Sequence, residues 1–201
     1  MTTQKQAIID SLVEIGAVKF GNFTLKSGIQ SPIYIDLRIT ISNPKLLQQI
    51  AESLLELSAG LSFDCIAGIP YTALPIATAF SLVSGKPMIY SRKEKKDYGT
   101  SKQIEGIWKE GDSVLIIDDL ITNGESKFET FKVFEEANLK TSDVIVLIDR
   151  EQGGAERLKK EGYQLFSIIS IFEILERMKE TNQISDLLYN ETQKFLKETS
   201  V

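Results

Sequence analysis

The sequence predicts an α/β protein with a mostly parallel sheet and helices on both faces. Short apolar runs at 63–69, 87–91, 113–119, 143–149 and 164–169 alternate with stretches whose apolar residues recur at helical spacing. Runs this continuously apolar suit strands covered on both sides rather than strands with one wet face. Composition agrees: 42% apolar and 25% charged over 201 residues is that of an ordinary globular chain. No linker, repeat or low-complexity tract interrupts it, so residues 1–201 are read as a single domain with a sizeable core.

The elements follow in order. Ala7, Ile8, Leu12 and Ile15 place a helix over 4–18. In 22–38, Phe23 and Leu25, then Ile33, Ile35 and Leu37, alternate with polar residues around a Lys-Ser-Gly turn, which predicts a hairpin or extended arm. Asn43-Pro44 supplies a cap and a first-turn proline for a helix that Gly60 ends. Strand 63–69, a helix near 73–83 and strand 87–91 come next. A polar segment over 92–110 precedes strand 113–119 and a helix over 125–137 that carries Phe128, Phe131 and Phe134. Strand 143–149, a short helix over 154–161, strand 164–169 and helices near 171–180 and 183–197 complete the chain.

The chain contains no histidine and one cysteine, Cys65. That excludes a Ser-His-Asp triad, a Cys-His dyad, a His-ligated zinc site and an internal disulfide. Chemistry is left to Asp, Glu, Lys, Arg, Thr, Tyr and backbone amides, with Mg²⁺ as the compatible metal. The N-terminus has no signal-peptide pattern and no run reaches the roughly 18 apolar residues of a membrane span. With the free cysteine, which reads as buried and inert, this predicts a cytoplasmic protein without a membrane partner. A net charge of −5 argues against nucleic-acid binding.

Chemistry concentrates in VLIIDDLITNGES (114–126). An apolar strand ends in Asp118 and Asp119, then Leu120 and Ile121, and enters a Thr122-Asn123-Gly124-Glu125-Ser126 turn that opens a helix. Ligands bind at the carboxyl ends of such strands, and a small-residue turn at a helix N-terminus offers amides to a phosphate. Consecutive strand residues face opposite ways, so both aspartates serve one ligand only if the strand has begun to turn. Two solvated acids at a strand end are the plainer alternative. A second constellation spans 92–102, where Arg92, Lys93, Lys95, Lys96 and Lys102 outnumber Glu94 and Asp97. The loop is net +3 on a body of net −8, which suits capture of an anion; a solvated surface loop is the alternative. A third, GIPYTALPIA (68–77), follows a strand, and its Gly68 and prolines permit a turn able to hold a diphosphate; a rigid strand-to-helix connection with nothing bound is the alternative.

The 114–126 string matches the phosphoribosyl pyrophosphate (PRPP) motif of type I phosphoribosyltransferases. With FTLKSGIQSPIYIDLR (23–38), GIPYTALPIA, RKEKKDYGT (92–100) and LIDREQGG (147–154), the chain resembles the orotate phosphoribosyltransferase family over about residues 16–170. The resemblance implies the type I phosphoribosyltransferase fold, with an N-terminal hairpin hood and a mobile catalytic loop. It implies Mg-dependent transfer of the 5-phosphoribosyl group from PRPP to N1 of orotate, giving orotidine 5′-monophosphate and pyrophosphate in pyrimidine biosynthesis. The Mg²⁺ would be held mainly by PRPP and waters, with no protein metal ligands.

By the same resemblance, the 122–126 turn binds the 5′-phosphate and Asp118 and Asp119 lie near the ribose hydroxyls. Tyr71 and Thr72 occupy the diphosphate loop, Thr72 where many relatives carry lysine. Arg92, Lys93 and Lys96 close over the diphosphate, supplied across a homodimer by the 92–102 loop. Tyr98 stands where many relatives carry histidine. Lys26 and Arg150 contact orotate, and the backbone at Tyr34 and Ile35 frames the pyrimidine. Arg150 also has support from residue chemistry, because a guanidinium at the end of a buried strand suits bidentate capture of a carboxylate. Its alternative is an ion pair with Asp149 or Glu151; that of Lys26 is a solvated turn lysine. Two other functions stay open: transfer to a different base, and a PRPP-sensing regulator on the same fold.

Overall fold

The computed structural model describes residues 1–24, 28–92 and 103–200. Helix α1 (Thr3–Glu14) starts where the Thr2 hydroxyl accepts from the Lys5 N–H, and it buries Ile8, Ile9 and Leu12. Strands β1 (Val18–Thr24) and β2 (Gln30–Ile35) then form an antiparallel two-stranded sheet. The hairpin therefore begins at Val18, inside the span whose apolar spacing reads as helix. It also ends sooner than the alternation suggests. Asp36 caps a 3-10 helix over Leu37–Ser42, accepting from the Arg38 N–H, so Leu37 leaves the ladder.

Helix α2 (Pro44–Leu57) opens on Asn43, whose side chain accepts from the Leu46 N–H, and ends on Ser58, two residues before Gly60. The alternating part of the chain follows: β3 (Cys65–Gly68), α3 (Ala73–Ser84), β4 (Met88–Ser91), β5 (Ile104–Glu105), β6 (Ser113–Ile121), α4 (Glu125–Glu136), β7 (Lys140–Asp149), α5 (Gly154–Lys160), β8 (Gln164–Ser170), α6 (Ile171–Glu180) and α7 (Asp186–Glu198). The sheet order is β5-β4-β3-β6-β7-β8, parallel throughout except for β5, which pairs antiparallel with β4. The two-residue β5 lies in the stretch read as a polar segment, being too short to show a period.

Helices cover both faces. On β6 and β7, Leu115, Ile117, Ile145 and Leu147 join one core with residues of α1, α2, α3, α6 and α7. The alternate residues Val114, Ile116, Val144 and Val146 join a second core with Phe131 and Phe134 of α4 and Leu158 of α5. Cys65 belongs to that second core, and burial raises its thiol to about 11, so it stays protonated. Among the described residues no helix is long and apolar enough to cross a membrane.

Candidate active site

The carboxyl ends of β3, β6 and β7 lie side by side, Gly68 opposite Ile117 and Ile121 opposite Asp149. At the end of β3, Gly68 stays within the strand rather than forming the turn its sequence context suggests. A Cβ there would lie 2.9 Å from the Ala77 Cβ and 3.1 Å from the Ala73 carbonyl oxygen, so glycine lets α3 approach the sheet. The connection Ile69–Thr72 contains a cis Pro70–Tyr71 peptide. Tyr71 is exposed, and Thr72 precedes α3 without a capping hydrogen bond.

Strand β6 runs straight through both aspartates to Ile121, without the early turn that would aim both at one ligand. Asp118 keeps the parity of Val114 and Ile116 and sits on the α4 side, where it is buried. Its Oδ2 accepts from Lys127 Nζ at 2.5 Å, and its Oδ1 from the Asp119 N–H at 2.9 Å. Asp119 keeps the parity of Leu115 and Ile117; its Oδ1 accepts from the Leu120 N–H. Burial, and secondarily the neighbouring Asp118 charge, raises Asp119 to about 7. Both aspartates and Leu120 nevertheless line one cavity of about 690 Å³, with Ile69, Pro70, Ser91, Arg92, Gln103 and the α4 residues Glu129, Thr130 and Val133.

Past Ile121 the chain turns through half-buried Thr122 and Asn123 to Gly124, which takes a left-handed φ of 76° as the N-cap of α4. No side chain caps the helix; the Asn123 Oδ1 accepts from the Glu125 N–H at 3.2 Å. An acid in a phosphate-binding turn is electrostatically awkward, but Glu125 is exposed and faces Arg157 Nη2 at 4.0 Å, which offsets its charge. The Ser126 side chain lies outside what is described.

Arg150 follows β7 and donates its backbone N–H to the Ile121 carbonyl at 3.0 Å, so it stands next to the turn. It is 7% exposed, and its Nε and Nη2 have no hydrogen-bond partner among the described residues. Asp149 accepts from the Glu151 N–H, and no ion pair joins Arg150 to either acid among the described residues. Desolvation lowers its pKa. A buried guanidinium without a partner is costly, so its geometry suits a ligand that supplies the missing acceptors.

The matched region covers all of these strand ends. The phosphoribosyl transferase domain model matches residues 38–181. The orotate phosphoribosyltransferase of Pyrococcus furiosus is 40% identical over 174 residues, covering 86% of this chain and 96% of that protein. The chain belongs to the orotate phosphoribosyltransferase family. Its architecture is the type I phosphoribosyltransferase fold, and the protein is a phosphoribosyltransferase enzyme. The uridine 5′-monophosphate synthase of Bos taurus is 42% identical over 196 residues, 96% of this chain but 41% of that protein. The structure of Leishmania donovani UMP synthase aligns with TM-score 0.90 at 38% identity, over 96% of this chain and 42% of that one. The chain thus spans about two-fifths of the two UMP synthases and nearly all of the archaeal relative.

Within this family framework, and apart from Tyr71 and Thr72 on the connection before α3, the sequence-predicted residues divide into three groups. Asp118, Asp119, Leu120 and Arg92 meet at the cavity, and Arg150 and the 122–126 turn adjoin it through β6 and β7. Arg92 stands at the root of its loop, pairing with Gln103 through the backbone and with Glu105 through its side chain at 3.0 Å. Tyr34 and Ile35 are half-buried on β2; the Tyr34 ring stacks at 5.4 Å on Phe23, and its hydroxyl accepts from Arg38. Lys26, Lys93, Lys96 and Tyr98 lie outside the described residues. Sequence reasoning missed Lys127, 2% exposed in its side chain. The available signal was its spacing: 127, 131 and 134 form one helical stripe, and two of the three are buried phenylalanines.

Proposed function

We propose that this protein transfers the 5-phosphoribosyl group of PRPP to N1 of orotate, releasing pyrophosphate and orotidine 5′-monophosphate in pyrimidine biosynthesis. The observation that carries the substrate choice is the buried, unpartnered guanidinium of Arg150 beside the phosphate turn. Orotate carries a carboxylate and ring carbonyls, which satisfy a fork of N–H donors, whereas a purine carries no carboxylate. The names of the relatives support the same choice.

The residues divide the work. Amides of the 122–126 turn hold the 5′-phosphate, and Asp119 accepts from a ribose hydroxyl. Tyr71 and Thr72 adjoin the diphosphate, Thr72 through its hydroxyl and backbone rather than a cation. Arg150 and Lys26 orient orotate beneath the Tyr34–Ile35 strand. The C1–O bond of PRPP breaks with its electron pair leaving on pyrophosphate, while the N1 lone pair of deprotonated orotate forms the new C1–N bond. No protein nucleophile is required, consistent with a chain lacking histidine. Arg92, Lys93 and Lys96 offset the charge developing on the leaving group, and a closed loop excludes water. Tyr98 offers no imidazole for proton transfer.

Among the described residues no group of three or more carboxylate or thiol donors converges as a metal cage. Mg²⁺ would be carried mainly by PRPP oxygens and waters, beside the cavity carboxylates Asp118 and Asp119. When bound, Mg²⁺ supplies charge neutralisation at the diphosphate. The protein acts as a cytoplasmic homodimer in which loop 92–102, rooted by Arg92 at its own chain's cavity, extends to the neighbouring subunit's site.

Purified protein mixed with PRPP, Mg²⁺ and orotate should consume the orotate absorbance, and Arg150→Met should raise KM for orotate by roughly tenfold or more with a smaller effect on PRPP. Turnover with adenine or uracil but not orotate would defeat the substrate assignment. Binding of PRPP without turnover of any base would favour a PRPP sensor.

A further inference from the structure

A lysine in the first turn of a helix is electrostatically misplaced, because the helix N-terminus already carries partial positive charge. Lys127 occupies such a position in α4 and is buried. Its ammonium donates to Asp118 Oδ2 at 2.5 Å and to the Leu120 carbonyl at 2.9 Å. It also faces the fields of Asp119 and Asp149, lowering the pKa of each against the burial that raises it. One ammonium thus stands among three carboxylates at the carboxyl ends of β6 and β7.

Stability alone gives little reason for this arrangement. A buried ion pair of good geometry commonly does no better than an apolar pair of the same volume, and the lysine interrupts an otherwise aromatic stripe. The location gives a better reason. These carboxylates adjoin the turn and cavity assigned above to an anionic sugar phosphate, and unbalanced they would repel it.

We infer that Lys127 is a positioning residue for PRPP: it holds Asp118 in one orientation and cancels its charge, leaving Asp119 to face the sugar. The inference rests on the PRPP reading of this site. Lys127 touches no substrate, since its ammonium is enclosed by Asp118 and the Leu120 carbonyl. The Leu120 contact aims it. With Lys127 in place, Asp118 is a neutralised support; without it, Asp118 is a buried anion beside an anionic ligand.

The test is a two-residue cycle read by PRPP affinity, measured by calorimetry with Mg²⁺ so that no turnover of any base is needed. In the native background, Lys127→Met should weaken PRPP binding about tenfold or more. In the Asp118→Asn background, where the carboxylate that Lys127 directly holds is already neutral, the same Lys127→Met change should alter PRPP affinity by less than about twofold. An equal tenfold loss in both backgrounds would show that Lys127 acts independently of Asp118 and would overturn the proposal. So would unchanged affinity in the single variant. If Lys127→Met alone does not fold, the comparison of Asp118→Asn with the double variant decides, since the double variant restores a neutral pair. Loss of orotate turnover with retained PRPP binding in the native chain would sink the orotate assignment and leave this cycle readable.

Discussion

Asp119 sits above its ordinary pKa because β6 holds it half-buried at the sheet end, beside Asp118. Burial and the Asp118 charge raise it to about 7, against roughly 4 for an unfolded aspartate. Between those values the folded chain holds a proton that the unfolded chain has lost, so its contribution to stability falls as pH rises from about 4 to about 7. Asp119→Asn removes that penalty while preserving an oxygen for the Leu120 N–H. The variant should melt about 2–4 °C above the parent at pH 8, the shift that ~1 kcal/mol gives a chain of this size once solvent screening of a half-buried carboxylate is allowed for, and match it near pH 4. An Asn variant that melts lower than the parent at pH 8 would contradict the buried-charge account.

Residue chemistry was also where sequence reading worked unevenly. Arg150 could be placed because an arginine at the end of an apolar strand is conspicuous. Its lack of a partner could not, since nothing in the order of residues shows that Asp149 turns instead to the Glu151 N–H. Period-two alternation put Asp118 and Asp119 on opposite faces, and β6 keeps that alternation to its end. What alternation could not supply was the α4 side of the story, because Lys127 meets Asp118 only once the helix has packed back on the sheet.

At the scale of elements, long apolar strands and capped helices were legible, whereas short or locally rerouted segments were not. Asn43-Pro44 marks α2 and the Asp-Asp run marks β6 because each signal is local. The two-residue β5 exists only through its pairing with β4, and the start of β1 depends on pairing with β2. The most constrained junction lies between the phosphate turn and α5. A Cβ on Gly154 would fall 2.6 Å from Ile121 Cγ1 and 2.7 Å from the Thr122 carbonyl oxygen. A side chain can rotate away, but the Thr122 oxygen moves only with the turn. Gly154→Ala should therefore cost about 1–3 kcal/mol in urea unfolding and raise KM for PRPP severalfold. An unchanged denaturation midpoint with unchanged KM would show that the turn yields freely at this point.

The whole molecule separates its charges. The 92–102 segment carries net +3 on a body of net −8, and the cavity at the strand ends contributes carboxylates but few cations beyond Arg92, itself paired with Glu105. Asp119 and Lys96 therefore belong to different parts of the charge pattern, and a dimer that exchanges loops places them on different chains of one site. Lys96→Ala and Asp119→Asn proteins should each lose most activity for lack of one half. Mixed dimers have one site built from the intact loop of the Asp119→Asn chain and the intact strand end of the Lys96→Ala chain. Refolded together in equal amounts, the two should yield about half their molecules as mixed dimers and recover roughly a quarter of the parent turnover, since one of two sites in each is whole. If the loop instead served its own chain, every site in every dimer would carry one lesion. Mixed dimers verified by differential tagging would then stay as inactive as either parent variant.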